Sequence, residues 1–333
     1  MSFQILVTQP VHAPVQQALQ SHGKVWINPG PEPLSQTELI DRCQNANAVM
    51  AFMTERIDKE LLETSPKLQI VAGALKGYNN MDVDACTRRG IFVTVVPDLL
   101  TEPTAELTVG LMIALARNML PGDQYVRSGS FHGWRPRFYG GSLCGAKVAI
   151  IGAGAVGQAI IRMLTGFGCD LIYVDRKSLA VEQERQYACR QSPLDDALAE
   201  ADFVVLAIHL MPETHHLVNE TFLFSMKVGS YLINPARGSI VDENAVVTAL
   251  DSGHLAGYAT DTFEMEDWAV SGRPKAIVEG LRNRENSVLT PHIGSAVRSV
   301  RQQIEMAAVQ SIIDVAEGRL PSGLVNPDAA KHR

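Results

Sequence analysis

Cysteine is sparse and poorly spaced in this chain: Cys43, Cys86, Cys144, Cys169 and Cys189 are five among 333 residues, and no two form a CxxC pair. An odd, scattered set argues against a disulfide framework or a clustered zinc site, and a reducing cytoplasm is the expected compartment. There is no HExxH, and His215-His216 sits in a Pro/Glu/Thr loop where it reads as solvent-facing, so no metal is expected. The net charge is −7 without any lysine/arginine block, which argues against a nucleic-acid partner. The longest apolar run, Leu107 to Ala116, is interrupted by Thr108 and Gly110 and is shorter than the ~18 residues of a bilayer span. It reads as a buried helix, and no membrane association is expected. A basic leader before a long apolar core is also missing, so no signal peptide is expected.

What is present is alternation. The length suits roughly two domains. Strand-like runs at Gln4–Thr8, Lys24–Ile27, Ala48–Ala51, Leu68–Ala72 and Phe92–Val95 are separated by helix-like pieces such as Val15–His22 and Ser35–Asn45. That pattern predicts a parallel sheet. One long helical pattern, Thr101 to Ser128, follows. A second block then offers six strands: Lys147–Ile151, Leu171–Val174, Phe203–Ala207, Tyr231–Ile233, Leu255–Ala259 and Val288–Thr290. The predicted fold class is α/β, with two Rossmann-like or flavodoxin-like parallel-sheet domains. The amphipathic segment Val297 to Ala316 is expected to return to the first domain, making it discontinuous. The expected division is 1–98 plus 299–333 for substrate and 99–298 for cofactor, with the last ten or so residues frayed.

Gly152-Ala153-Gly154-Ala155-Val156-Gly157 follows the strand at Lys147–Ile151 and opens a helix. Gly152 permits a tight turn, Gly154 lets the backbone approach a pyrophosphate, and Gly157 allows close helix–strand packing. The phosphates then sit on the helix N-terminus, where unpaired N–H groups favour anions. Asp175 ends the next strand and would accept hydrogen bonds from ribose hydroxyls, which favours NAD. Arg176 and Lys177 either form a solvated turn or accommodate a 2′-phosphate, so some NADP tolerance is expected.

Three polar residues follow strands of the second block: Arg237, Glu266 and His292. Strand ends of one parallel sheet share an edge, and that edge is where ligands bind. A cation, a carboxylate and an imidazole together suit anion binding with proton transfer, because a carboxylate stabilises the imidazolium. Each has an ordinary alternative: a helix-capping or ion-paired arginine, a satisfied loop histidine, one solvent-facing acid among Glu264, Glu266 and Asp267.

The ordered stretches Asn234-Pro235-Ala236-Arg237-Gly238, Asp261 to Glu266 and Thr290-Pro291-His292-Ile293-Gly294, with the GAGAVG motif, resemble the D-isomer-specific 2-hydroxy-acid dehydrogenase superfamily over nearly the whole chain. The resemblance implies that Arg237 binds the substrate anion, that His292 is the acid/base and that Glu266 orients it. It also implies that Thr104, Pro235, Ala236, Asp261 and His292 approach the cofactor beside Ala155 and Val156.

Further stretches resemble the phosphonate (phosphite) dehydrogenase branch: Met50 to Met53, Ala74-Leu75-Lys76-Gly77, Val96 to Thr101, Gly133-Trp134 with Phe138-Tyr139-Gly140, and Phe263 to Trp268. His292 to Arg298, followed by Arg301, belongs with them. Lys76 adds a second cation to Arg237, and two cations suit a compact dianion better than a monocarboxylate. The expectation is therefore oxidation of phosphite to phosphate with NAD in a homodimer. Lys76, Gly77 and Arg237 would hold the anion, with Met53 and Arg301 lining the site and Trp134, Tyr139 and Trp268 walling it. The aromatics and Met53 suit core or interface packing equally well, and Arg301 a helix surface. Asp175-Arg176 departs from the Glu-Ala pair of that branch. The competing expectations are a D-2-hydroxy-acid dehydrogenase of glycerate/glyoxylate type, for which Lys76 is unnecessary, and an NAD(H)-sensing corepressor-like binding protein.

Overall fold

The computed structural model describes residues 3–267, 270 and 272–333. Trp268, expected to help wall the site, lies outside the described residues. The chain divides into two compact units. One combines the chain up to Leu100 with Ser295–Arg333; the other is built from Thr101–Asp267 and Gly272–Gly294.

The first unit holds a five-stranded parallel sheet of Gln4–Val7 (β1), Lys24–Ile27 (β2), Ala48–Ala51 (β3), Ile70–Gly73 (β4) and Phe92–Thr94 (β5), in the order β2-β1-β3-β4-β5. Its strands are apolar on both faces because helices cover both, as parallel sheets require. Helix Arg298–Ala316 buries Ile304, Ala308, Val309 and Ile312 against Ile5, Val7, Met50 and Ile70 of that sheet. The C-terminus is not frayed. Asn326 is buried, accepts from Val93 N at 2.8 Å and donates to Ile91 O at 2.9 Å, so an amide side chain splices the tail onto β5 before a closing turn at Pro327–His332.

The second unit holds seven parallel strands: Lys147–Ile151 (β6), Asp170–Val174 (β7), Cys189–Gln191 (β8), Phe203–Leu206 (β9), Ser230–Asn234 (β10), Leu255–Thr260 (β11) and Ser287–Leu289 (β12). Their order is β12-β11-β10-β9-β6-β7-β8, so the direction of winding reverses between β6 and β9. Strand β8 was not anticipated: it has three residues, and Arg190 and Gln191 point to solvent, leaving no apolar run to read. The two α/β sheets confirm the expected fold class.

The single long helix expected from Thr101 to Ser128 is two helices, Thr101–Ala116 and Met119–Arg127. Gly141 N donates to Ala116 O at 2.9 Å, and Asn118 takes a left-handed conformation with φ of 50°. Asparagine tolerates that region better than most residues, so the break falls there. The first of the two helices is the buried one. Leu111, Met112 and Leu115 pack with Ile160, Ile161 and Leu164 of helix Ala155–Thr165 and with β6. Among the described residues no helix is long and apolar enough to cross a membrane.

Candidate active site

The reversal between β6 and β9 opens a crevice at the strand ends, and the glycine motif lies in it. Gly152 leaves β6 with φ of 102°, and a Cβ there would come within 2.5 Å of the Ala207 carbonyl oxygen beyond β9. Gly157 packs so closely on Gly152 that its own Cβ would overlap the Gly152 carbonyl oxygen. Gly154 is different: a Cβ there would meet no protein atom within 4 Å. It is the N-cap of helix Ala155–Thr165 and supplies no side-chain cap. The helix start is thus left open to an external acceptor, with Gly154 and Ala155 exposed and Val156 half-buried. These residues fit a dinucleotide.

Asp175, one residue past β7, accepts from Ala153 N at 2.8 Å and Lys177 N at 3.0 Å. Partial burial pushes its carboxyl upward, but these backbone donors, with Arg176 N–H and the Arg176 charge, hold it below the usual carboxylate range. Asp175 is therefore an anchored anion beside the glycine turn. Arg176 is exposed.

The catalytic candidates Arg237, Glu266 and His292 all lie at the C-terminal edge of β10, β11 and β12. After β10, Asn234 pins the turn that delivers Arg237. Its amide donates to Arg237 O at 2.9 Å and its carbonyl accepts from Ala236 N at 3.0 Å. Pro235 is buried beneath this turn and Ala236 half-buried. Burial holds the Arg237 guanidinium below its ordinary range, against the opposing pull of Asp267 and Glu266. After β11, Glu266 ends a short 3-10 turn at Glu264–Glu266. It reaches back to accept from Phe263 N at 2.7 Å through Oε1, leaving Oε2 directed at His292 Nδ1, also at 2.7 Å. After β12, His292 has φ of 55°, an uncommon conformation for a residue with a Cβ.

Asp261 holds that conformation. Its carboxylate accepts from Thr290 Oγ1 at 2.6 Å, Ile293 N at 2.8 Å and Gly294 N at 2.7 Å, bracketing His292 on both sides. Burial raises the Asp261 carboxyl above its usual range, opposed by these bonds and the nearby His292. Asp261, expected to approach the cofactor, thus engages both oxygens with the His292 loop. Thr104 lies beside Gly294, whose Cβ would sit 3.2 Å from Thr104 Oγ1. Asp267, offered by the sequence only as one of three solvent-facing acids, plays a structural part instead. It is buried, accepts from Ser239 N at 2.7 Å and faces Arg237. Three acids in four residues gave no sequence signal to separate it from Glu264 and Glu266.

Of the remaining candidates, Met53, Lys76, Gly77 and Arg301 belong to the first unit. Lys76 and Gly77 follow β4 and are half-buried. Arg301 is not a bare helix-surface residue: it lies over the Phe52 ring at 5.7 Å and makes a long contact of 3.4 Å to Ala74 O, while burial holds it below its usual range. Met53 packs against the core beside β3. Trp134 and Tyr139 are 76% and 79% exposed in the single chain.

Residues 109–294 match the family described as D-isomer specific 2-hydroxyacid dehydrogenase, NAD binding domain. The chain is similar to the glyoxylate reductase of Pyrococcus horikoshii, with 41% identity over 300 residues covering 89% of this chain and 87% of that one. It is 35% identical to the glyoxylate reductase of Pyrococcus furiosus over 338 residues, covering 100% and 98%. Among solved structures, the TT0316 protein from Thermus thermophilus superposes with a TM-score of 0.88 at 34% identity, covering 97% of this chain and 100% of that one.

The two Pyrococcus relatives overturn the expectation of phosphite oxidation, since they are named glyoxylate reductases and not phosphonate dehydrogenases. The physical error lay in Lys76, read as an unbalanced second cation. Burial lowers its affinity for the proton, and Asp98 stands close enough to counter its charge. A lysine with an acid beside it is no specific mark of a dianion. The chain belongs to the D-isomer-specific 2-hydroxyacid dehydrogenase family and is an NAD-dependent oxidoreductase of that family.

Proposed function

We propose that the chain interconverts a short 2-oxo acid and the corresponding 2-hydroxy acid, with glyoxylate and its close homologues as the substrate class. The observation that carries this reading is the 2.7 Å pair of His292 Nδ1 and Glu266 Oε2 on the NAD-binding domain, with Arg237 at the same sheet edge. When bound, the nicotinamide supplies or accepts the hydride. The residues then divide the remaining work. Arg237 holds the substrate carboxylate by charge-assisted hydrogen bonds. With Nδ1 engaged by Glu266, His292 has Nε2 available to give a proton to the carbonyl oxygen as hydride reaches C2, and to take it back in the reverse direction. Glu266 fixes the ring and offsets the charge of the imidazolium. Asp261 keeps the His292 loop in its left-handed turn. Within the first unit, Arg301 braces the loop at Ala74 that carries Lys76 and Gly77.

The test is NADH consumption by the purified protein with glyoxylate, hydroxypyruvate and pyruvate, with phosphite and NAD as the contrasting pair. Turnover of 2-oxo acids is expected. No turnover of any 2-oxo acid would refute the reading. The cofactor reading is NAD over NADP because Asp175 is a fixed anion where a 2′-phosphate would lie, with Arg176 allowing limited NADP use. We also assign the protein a homodimeric state, supported by the exposure of Trp134 and Tyr139 on a long surface segment.

A further inference from the structure

His216 is half-buried and does not face solvent in the manner of its neighbour. His215 is exposed and stacks on it with ring centroids 4.1 Å apart. The His216 ring turns inward and places Nε2 3.1 Å from Glu264 Oε2. Its backbone is in the left-handed region with φ of 48°, and its N–H donates to Ser239 O at 2.8 Å. A residue with a Cβ holds that conformation only where its surroundings select it.

These two bonds end on two different turns. Ser239 lies in the turn Gly238–Ile240, directly after Arg237, and Glu264 opens the turn Glu264–Glu266 that presents Glu266 to His292. The turns also grip each other. Glu264 Oε1 accepts from Glu243 N at 3.1 Å while Glu243 Oε1 accepts from Glu264 N at 3.0 Å, and Asp267 accepts from Ser239 N. The Glu243 bonds tie Glu264 to the start of helix Glu243–Asp251, while Asp267 ties the end of the Glu264–Glu266 turn to Ser239. His216 reaches the second oxygen of Glu264, and it does so while its own backbone holds Ser239.

We infer that His216 is a positioning residue for the 2-oxo acid reaction, holding the Glu264–Glu266 turn in register with the Arg237 turn so that Glu266 meets His292. This rests on the reaction proposed above. His216 touches neither reacting atoms nor Arg237, Glu266 or His292 side chains, and acts through Glu264.

The experiment compares His216→Leu, which removes the ring nitrogen, with His216→Gln, whose amide nitrogen reaches a similar place and can donate to Glu264. Both are measured on whichever 2-oxo acid the wild type turns over best, with melting temperature recorded for each. His216→Leu is expected to lower kcat about tenfold with little change in KM, and His216→Gln to retain kcat within about threefold. The same His216→Leu change made on a Glu266→Gln background is expected to have almost no further effect, because residues acting through one link are not additive. Equal activity of the wild type and His216→Leu overturns the inference. So does a His216→Gln variant that is folded and as slow as His216→Leu, or a full tenfold loss on the Glu266→Gln background. A wild type inactive on every 2-oxo acid would instead refute the reaction itself, and is distinguishable because it appears before any variant is made.

Discussion

Gly238 lies so tightly against Phe263 that a Cβ on it would overlap the Phe263 carbonyl carbon and crowd Glu264 N. Its φ is not positive, so the demand is for space alone and not for a left-handed backbone. The atoms in the way are main chain and cannot rotate aside. Gly238→Ala must therefore separate the Arg237 turn from the Glu266 turn. Because a displacement of ~1 Å in such a constellation can cost about a hundredfold in rate, kcat/KM for the 2-oxo acid is expected to fall by about that factor. Circular dichroism should show the sheets retained. Activity within threefold of wild type would show that the two turns need not be in contact.

Glu266 divides its two oxygens between Phe263 N and His292 Nδ1. Glu266→Gln cannot accept at both, since one position becomes an N–H donor. The amide also gives no charge to balance an imidazolium. A loss of kcat of about a hundredfold is expected, within the range of general acid–base contributions. His292→Ala should lose at least as much. Steady-state kinetics in both directions would check this; a Glu266→Gln enzyme with unaltered kcat would remove Glu266 from the reaction.

The glycine motif, the alternating strands and the three strand-end residues were legible in the sequence because each is a local pattern: a spacing, a run of β-branched residues, a polar residue after it. What was illegible depends on partners far along the chain. Asn326 holds β5 from 233 positions away, so a tail with polar composition looked frayed. Asp267 and His216 become meaningful only when the turns at 238 and 264 are folded together. Lys76 was legible as a residue, but its burial and the opposing pull of Asp98, 22 positions further along the chain, were not. Substrate was inferred from that one side chain, and a single charge is too little to specify it.

Asp175 is held by Ala153 N and Lys177 N, so its side chain cannot swing away to admit a 2′-phosphate without breaking both bonds. The wild type is expected to prefer NADH to NADPH. Asp175→Ala should lower kcat/KM for NADH about tenfold and bring the two cofactors close to parity, with exposed Arg176 then free to meet the extra phosphate. Kinetics with both cofactors would decide it. A wild type that favours NADPH would contradict the role given to Asp175.

Trp134 and Tyr139 expose large rings that the chain itself does not cover, as Phe131 does, and Val126 and Met119 on the same stretch expose aliphatic and thioether side chains. In a homodimer such residues become interface anchors. Replacing Trp134 and Tyr139 by serine is expected to shift the sedimentation coefficient towards the monomer. A wild type that sediments as a monomer at micromolar concentration would rule out the dimer.

Glu243 is 2% exposed and sits beside Glu264 and Glu266. Burial raises its carboxyl above the ordinary range, the two neighbouring acids add to this, and backbone N–H groups of Glu264 and Val278 oppose it. A carboxyl raised in the folded state keeps its proton where the unfolded chain, with a value of about 4.3, has lost it. Its contribution to stability is therefore full below the unfolded value and is lost as pH rises through the folded one. Glu243→Gln stays neutral throughout and can still accept from Glu264 N; the amide group it turns towards Val278 N adds a cost that does not vary with pH. The melting temperature of the variant minus that of the wild type should therefore increase from about pH 4.5 to neutrality. Thermal melts across that range would measure it. A difference that stays flat or falls with rising pH would mean that Glu243 enters the folded protein at no electrostatic cost, so that its backbone donors offset burial in full.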